Sequence, residues 1–294
     1  MTASPSTSAR HFSRIVIIDW SAAASRGPAR PSPDRCWLAH GTAEARFSPQ
    51  YFRTRDDCVA RVRDLLAGTE GNVLVGWDFP FGTPAGSRIG GGRPLANHLN
   101  DRIEDPAGGP NNRFAVAEQI NRDLGSPPGP FWFCPPAHAT AALSVTKPGF
   151  AHRPFREMRL VEQRLRAQGR KPMSVWQLGG SGAVGSQTLL GLPRVLDLVR
   201  DPALTARSCI WPFETGWDRA LAGVVHAEVW PSLADRTAYD HPIKDANQVA
   251  ALCDEYLALD ARGELLAALA RPPRLTEAES AACLREEGWV VGVR

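Results

Sequence analysis

Lysine is almost missing from this chain: Lys147, Lys171 and Lys244 are the whole complement, and the rest of the 34 basic residues are arginine. Set against 31 acids, the net charge of +3 is too small to mark a nucleic-acid binder through bulk charge. The arginine excess suits bidentate phosphate contacts, although a GC-rich genome imposes the same bias on proteins of any function. Paired cysteines are missing too. Cys36, Cys58, Cys134, Cys209, Cys253 and Cys283 include no C-x-x-C pair, which excludes zinc-ligand spacing and leaves them as small buried hydrophobes. No apolar run approaches the roughly 20 residues of a membrane span, and the Ser/Thr/Ala-rich start lacks the apolar core of a signal peptide. A cytoplasmic protein without a membrane partner is expected. A Walker A loop is excluded because Gly185 is followed by Ser186 and Gln187, a nucleophile elbow because Ala183 stands two after Ser181, and a zincin helix because no histidines pair as H-E-x-x-H.

What is present is an α/β rhythm in 294 residues, enough for one sizeable domain. Residues 14–20 form a continuous β-branched run, the pattern of a strand buried on both faces. Residues 36–40 and 45–48 alternate as a hairpin would, 55–66 carry apolar residues at helical spacing with Gly68 placed to end the helix, and 72–79 form a second buried strand closed by Pro80. Residues 82–172 break the rhythm with Gly and Pro clusters around Phe131-Trp132-Phe133 and are expected to be an insertion covering the active-site edge. Beyond it the pattern predicts a short strand at Val175-Trp176, a helix through Leu189–Leu198, strands at 208–213 and up to Glu228, a helix over 245–259, and a closing helix-and-strand tail. The domain is expected to span 14–294, with 1–13 as a flexible N-terminus.

Three of the hydrophobic runs end at or near an acid: Asp19, Asp78 and Glu228. In open α/β sheets, ligands gather at the carboxyl ends of strands, where the loops converge. A fourth acid, Asp245, opens the helix whose core-facing series is Val249, Leu252, Cys253 and Tyr256, and it lies four residues before Val249, on the same face. Each acid alone could simply cap a turn or a helix start. Together Asp19, Asp78, Glu228 and Asp245 predict a catalytic carboxylate cluster that needs a compensating cation, Mg²⁺ or Mn²⁺.

The order of a strand with Asp, two more strands, a helix, a strand with Asp and finally a helix with Asp is the skeleton of the ribonuclease H-like fold: a mixed sheet flanked by helices, here with a large Gly/Pro-rich insertion. Ile18-Asp19-Trp20-Ser21, the stretch Gly76-Trp77-Asp78-Phe79-Pro80-Phe81-Gly82-Thr83-Pro84, Glu228-Val229-Trp230-Pro231-Ser232 and Lys244-Asp245-Ala246 resemble domain-of-unknown-function family 429, described as predicted RNase H-like nucleases. The resemblance implies metal-binding roles for Asp19, Asp78 and Asp245, and Glu228 as a fourth member. The chain departs from the family in having Asn247 where a denser acidic motif is usual, and in the size of its insertion.

Further candidates concern the substrate. Gly180-Ser181-Gly182-Ala183-Val184-Gly185 matches G-x-G-x-x-G before a helix, so Gly180, Gly182 and Gly185, with Lys244, are phosphate-binding candidates; a tight packing turn is the plainer reading. Arg156 and Arg159 on the basic stretch 155–170, Trp132 in the aromatic cluster, and His226, two residues before Glu228, are substrate-binding candidates. The expected function is metal-dependent phosphodiester hydrolysis on nucleic acid. The alternatives are an enzyme acting on a small nucleotide or phosphorylated metabolite through the glycine loop, or a non-catalytic binding module.

Overall fold

A computed structural model describes residues 10–294 apart from 108, 126, 218 and 219. Six strands form one mixed sheet: β1 (Arg14–Asp19), β2 (Cys36–Gly41), β3 (Arg46–Phe52), β4 (Val73–Trp77), β5 (Ser208–Ile210) and β6 (Val224–Glu228), in the order β3-β2-β1-β4-β6-β5. The β1–β2 and β2–β3 pairs are antiparallel, and β1, β4, β6 and β5 run parallel. The β-branched runs lie at the centre because only there are both faces covered, and each fully buried Val or Ile contributes on the order of 1.5–3 kcal/mol.

The helices are α1 (Arg55–Ala67), α2 (Gly92–Asn100), α3 (Arg113–Asp123), α4 (Leu160–Ala167), α5 (Gly185–Arg200), α6 (Lys244–Ala261), α7 (Leu265–Ala268) and α8 (Glu277–Ala282). They divide the core in two. Val16, Ile18, Val75 and Trp77 pack with α1, α2, α3 and α5 on one face. Ile15, Ile17, Leu74 and Ala227 pack with α4, α6 and the C-terminal residues on the other. Among the described residues no helix is long and apolar enough to cross a membrane.

Several expectations are corrected. Val175-Trp176 is a turn, because Trp176 is fully buried against the rings of Phe131 and Phe155 and forms no ladder. Of the basic stretch 155–170 only α4 is helical, and the C-terminal tail closes in a π-helical turn, Cys283–Glu287, with an isolated bridge from Val290 to Glu228 in place of a strand. Residues 1–9 of the expected flexible start lie outside the described residues. Residues 11 and 12 are anchored: Phe12 is buried, and Asp260 accepts from the amides of His11 (3.1 Å) and Phe12 (3.2 Å). Residues 82–172 hold α2, α3 and α4, so the Gly/Pro-rich stretch is largely helical.

Candidate functional site at the carboxyl end of the sheet

Strand register puts two aspartates side by side. Ile18 of β1 pairs with Trp77 of β4, and the Asp78 amide donates to the Ile18 carbonyl at 3.0 Å, so the pairing runs past the strand end. Asp19 and Asp78 are therefore neighbours at roughly the 4.8 Å spacing of adjacent strands. Alternation gives them the same direction. Asp19 continues the Ile15, Ile17 series and Asp78 the Leu74, Gly76 series, which face α6. Gly76 confirms the close quarters, since a Cβ there would stand 2.8 Å from Ile17 Cδ1 and 2.6 Å from Val229 Cγ1.

The first turn of α6 delivers Asp245 to the same edge. Ile243 caps α6, so Asp245 is not the helix cap; its Oδ2 accepts from the Asp34 amide at 2.8 Å, tying α6 to the loop after β1. Neither Asp19 nor Asp78 makes a side-chain hydrogen bond or ion pair among the described residues. Burial raises the Asp19 carboxyl well above the usual range, and Asp78 and Asp245 raise it further by repulsion. Burial likewise lifts Asp78 to about 8, helped by Glu228 and Asp245 and opposed by Lys244. Asp245 is raised by burial against the pull of the Asp34 amide. Lys244 is exposed at the start of α6, close enough to act on both Asp78 and Asp245.

Glu228 stands close enough to raise Asp78 and lines the same cavity, but unlike the aspartates it has partners of its own. It ends β6, where its carboxylate meets the start of α4 and the C-terminal turn. Arg159 holds it through Nη2 to Oε1 (2.5 Å) and Nη1 to Oε2 (2.7 Å), and the Phe81 amide donates to Oε2 at 3.1 Å. The same guanidinium donates to Glu162 Oε1 from Nε (2.9 Å) and to the Glu287 carbonyl from Nη1 (2.7 Å). Glu287 in turn accepts from the Ala85 and Leu160 amides. Arg159 is 1% exposed. It is a buried clamp between α4, β6 and the C-terminal turn, so its expected role on substrate is corrected.

The other candidates separate. His226 is fully buried; the Trp77 Nε1–H donates to its Nδ1 at 3.3 Å, and burial holds the ring neutral with its pKa lowered to about 3. No substrate reaches it. Gly185 begins α5 with its amide given to the Gln177 carbonyl, and a Cβ there would lie 2.5 Å from the Val175 carbonyl oxygen, so close packing explains this glycine and its phosphate role is corrected. Gly180 (φ +91°) and Gly182 (φ +73°) turn the loop through left-handed backbone. Arg156 is exposed but borders another cleft, with Phe150 and Glu279. Trp132 is half-buried, its backbone bridging to Ser144 and Gln177.

Two features of the site had no clear sequence signal. Arg26, Arg35 and Arg53 gather around the loop that follows Asp19 and supplies Asp34. A cavity of about 200 Å³ opens beside Asp78, with Trp230, Met173 and Ser181 in its walls. The first turn of α5 packs onto both acid-bearing loops, Gln187 donating to the Trp20 carbonyl and Thr188 to the Pro80 carbonyl.

Compared with protein-family models, with curated proteins and with solved structures, the chain has no match. Among the described residues no group of three or more His, Cys, Asp or Glu side chains stands ready to hold a metal ion. What the edge presents is a pair of partnerless carboxylates with a third acid alongside. Mg²⁺ is commonly bound by one or two carboxylates, substrate phosphate and water rather than by an all-protein cage, and the oxygen donors of Asp19 and Asp78 fit that mode.

Proposed function

We propose that the chain is a divalent-cation-dependent phosphodiester hydrolase on a ribonuclease H-like fold, as the resemblance to domain-of-unknown-function family 429 implies. The strand order with β2 antiparallel between β1 and β3, and acids at the ends of β1 and β4, supports the fold reading. One observation carries the function: Asp19 and Asp78 stand together, half-buried, raised by burial and repulsion, and without a donor among the described residues to stabilise their charge. A site in that condition favours a cation or a proton. Asp19 and Asp78 would hold Mg²⁺ or Mn²⁺, with Asp245 completing the negative field. The cation supplies Lewis-acid polarisation of the phosphoryl group.

The chain's own residues do the rest. Asp245 fixes the loop after β1 through the Asp34 amide, which keeps Asp19 beside Asp78. Lys244 beside the acids, and Arg26 and Arg35 along the loop that follows Asp19, offer positive charge for the phosphates of a nucleic-acid backbone. A second reading, an enzyme acting on a small phosphorylated metabolite, draws on the cavity lined by Ser181 and Gly182 beside Asp78. Salt separates the two, because binding through many phosphates weakens steeply with ionic strength and binding of one small ligand does not. Incubation of the protein with labelled single- and double-stranded DNA and RNA, with and without Mn²⁺, tests hydrolysis directly. Cleavage is expected only with the cation, and cleavage that persists in the Asp19→Asn/Asp78→Asn double variant removes the assignment.

A further inference from the structure

The cavity beside Asp78 shares that acid with the proposed cation site and so opens where the chemistry would occur. Its volume of about 200 Å³ is small against the ~300–1,000 Å³ of pockets that bury drug-sized ligands, and suits a single ring system. Its walls are apolar and partly aromatic: Trp230, Met173 and Leu165 on one side, Asp78 at the sheet edge. Two polar groups stand at it without partners among the described residues, the Ser181 hydroxyl and the Lys171 ammonium. The two glutamates in its wall, Glu162 and Glu228, are saturated by Arg159, so they neither attract a second cation nor compete for donors from a ligand.

We infer that this cavity receives a single unstacked nucleobase from the nucleotide whose phosphate meets Asp19 and Asp78. The identification of the ring as a base rests on the phosphodiester reading above. A planar ring within one nucleotide of a reacting phosphodiester is the base itself, and base edges carry the acceptors and donors that Lys171 and Ser181 complement. Trp230 supplies a stacking surface of the kind used for extruded and single-stranded bases. The consequence is substrate selection. A base held in a regular duplex cannot enter, so single strands, loops and distorted or branched junctions are admitted, and continuous double helix is excluded.

Fluorescence anisotropy with a labelled ten-nucleotide single strand, an abasic strand of equal length and a blunt duplex, with Ca²⁺ in place of Mg²⁺, tests this. The intact strand is expected to bind at least tenfold more tightly than the abasic strand, in line with the ~1–3 kcal/mol of base–aromatic stacking, and more tightly than the duplex. Trp230→Ala is expected to abolish that ratio while leaving the abasic strand's affinity unchanged. Should Trp230→Ala fail to fold, Ser181→Trp, at an exposed loop position, blocks the cavity and is expected to give the same loss. Equal affinity for intact and abasic strands, or equal weakening of both in Trp230→Ala, overturns the inference. Base-dependent binding without Mn²⁺-dependent cleavage supports the cavity and removes hydrolysis. Cleavage of intact and abasic strands at equal rates removes the cavity's role and leaves hydrolysis in place.

Discussion

Two groups of acids meet at the carboxyl end of this sheet, and they have opposite surroundings. Glu228, Glu162 and Glu287 surround the Arg159 clamp and accept from the guanidinium or from backbone amides. Asp19 and Asp78, on the neighbouring strands β1 and β4, accept from no side chain or amide among the described residues. A buried carboxylate is tolerated when donors and a counter-charge replace the water it has lost. The first group meets that requirement within the protein and holds the fold together. The second does not, and under the function proposed above an external cation would supply the missing counter-charge. Position at a strand end is common to both groups; the supply of partners distinguishes structure from function.

The comparison breaks most visibly at Arg159. Arg159→Ala leaves three carboxylates around a buried space with no cation, and breaking a buried pair costs about 3–5 kcal/mol. A melting-temperature drop of several degrees or more, or failure to fold, is expected by calorimetry; an unchanged melting temperature would show that the clamp is dispensable. Asp19→Asn should act in reverse. It removes a repelled, partnerless charge, so thermal stability is expected to stay level or rise, while Mn²⁺-dependent cleavage falls at least 100-fold. A stability loss with cleavage retained would reverse the roles assigned to the two groups.

Glu228→Gln sharpens the boundary between them. Arg159 keeps Glu162 and the Glu287 carbonyl but loses a charged acceptor, which costs about 1–3 kcal/mol. Cleavage per folded molecule is expected to remain within a few fold of the unaltered protein. A loss on the scale of Asp19→Asn would place Glu228 with the cation after all, and denaturant titration alongside single-turnover rates distinguishes the two cases.

The contrast also explains how much could be read in advance. The β1, β4 and β6 runs were legible because central strands buried on both faces need contiguous β-branched and aliphatic residues. The direction of Asp19 and Asp78 follows from alternation along those runs, and α6 from its apolar spacing. The fate of Glu228 was not legible: its partner Arg159 lies 69 residues away, and no local pattern links them. The one local trace is Glu162, three residues after Arg159, within a stretch whose arginines dominate its reading. His226 failed for a similar reason, since two-residue spacing reports a shared face but not whether that face is wet. In the Gly/Pro-rich stretch, α2 begins at a glycine, Gly92 at φ +58°, which reads as a turn until the ring of Phe213 is seen packed against it.

The smallest expected effect is a pH dependence, and its sign follows from Asp78. Its carboxyl titrates at about 8 in the folded chain, against 3.8 for the ordinary group. Between those limits the folded state holds a proton that the unfolded state has lost, so stability without divalent cation falls as pH rises from about 4 to about 8 and levels off above that range. Solvent reaches part of this carboxyl, which limits the amplitude. Urea titrations across that window in a chelating buffer should show the decline, and Asp78→Asn should reduce it, leaving the part that burial of Asp19 contributes. Saturating Mn²⁺ should offset it increasingly toward the alkaline end, because the cation replaces the proton between Asp78 and Asp19. If the slope is the same in Asp78→Asn, the pair is not the origin of the effect, and the absence of donors around it is not what makes this edge take a cation.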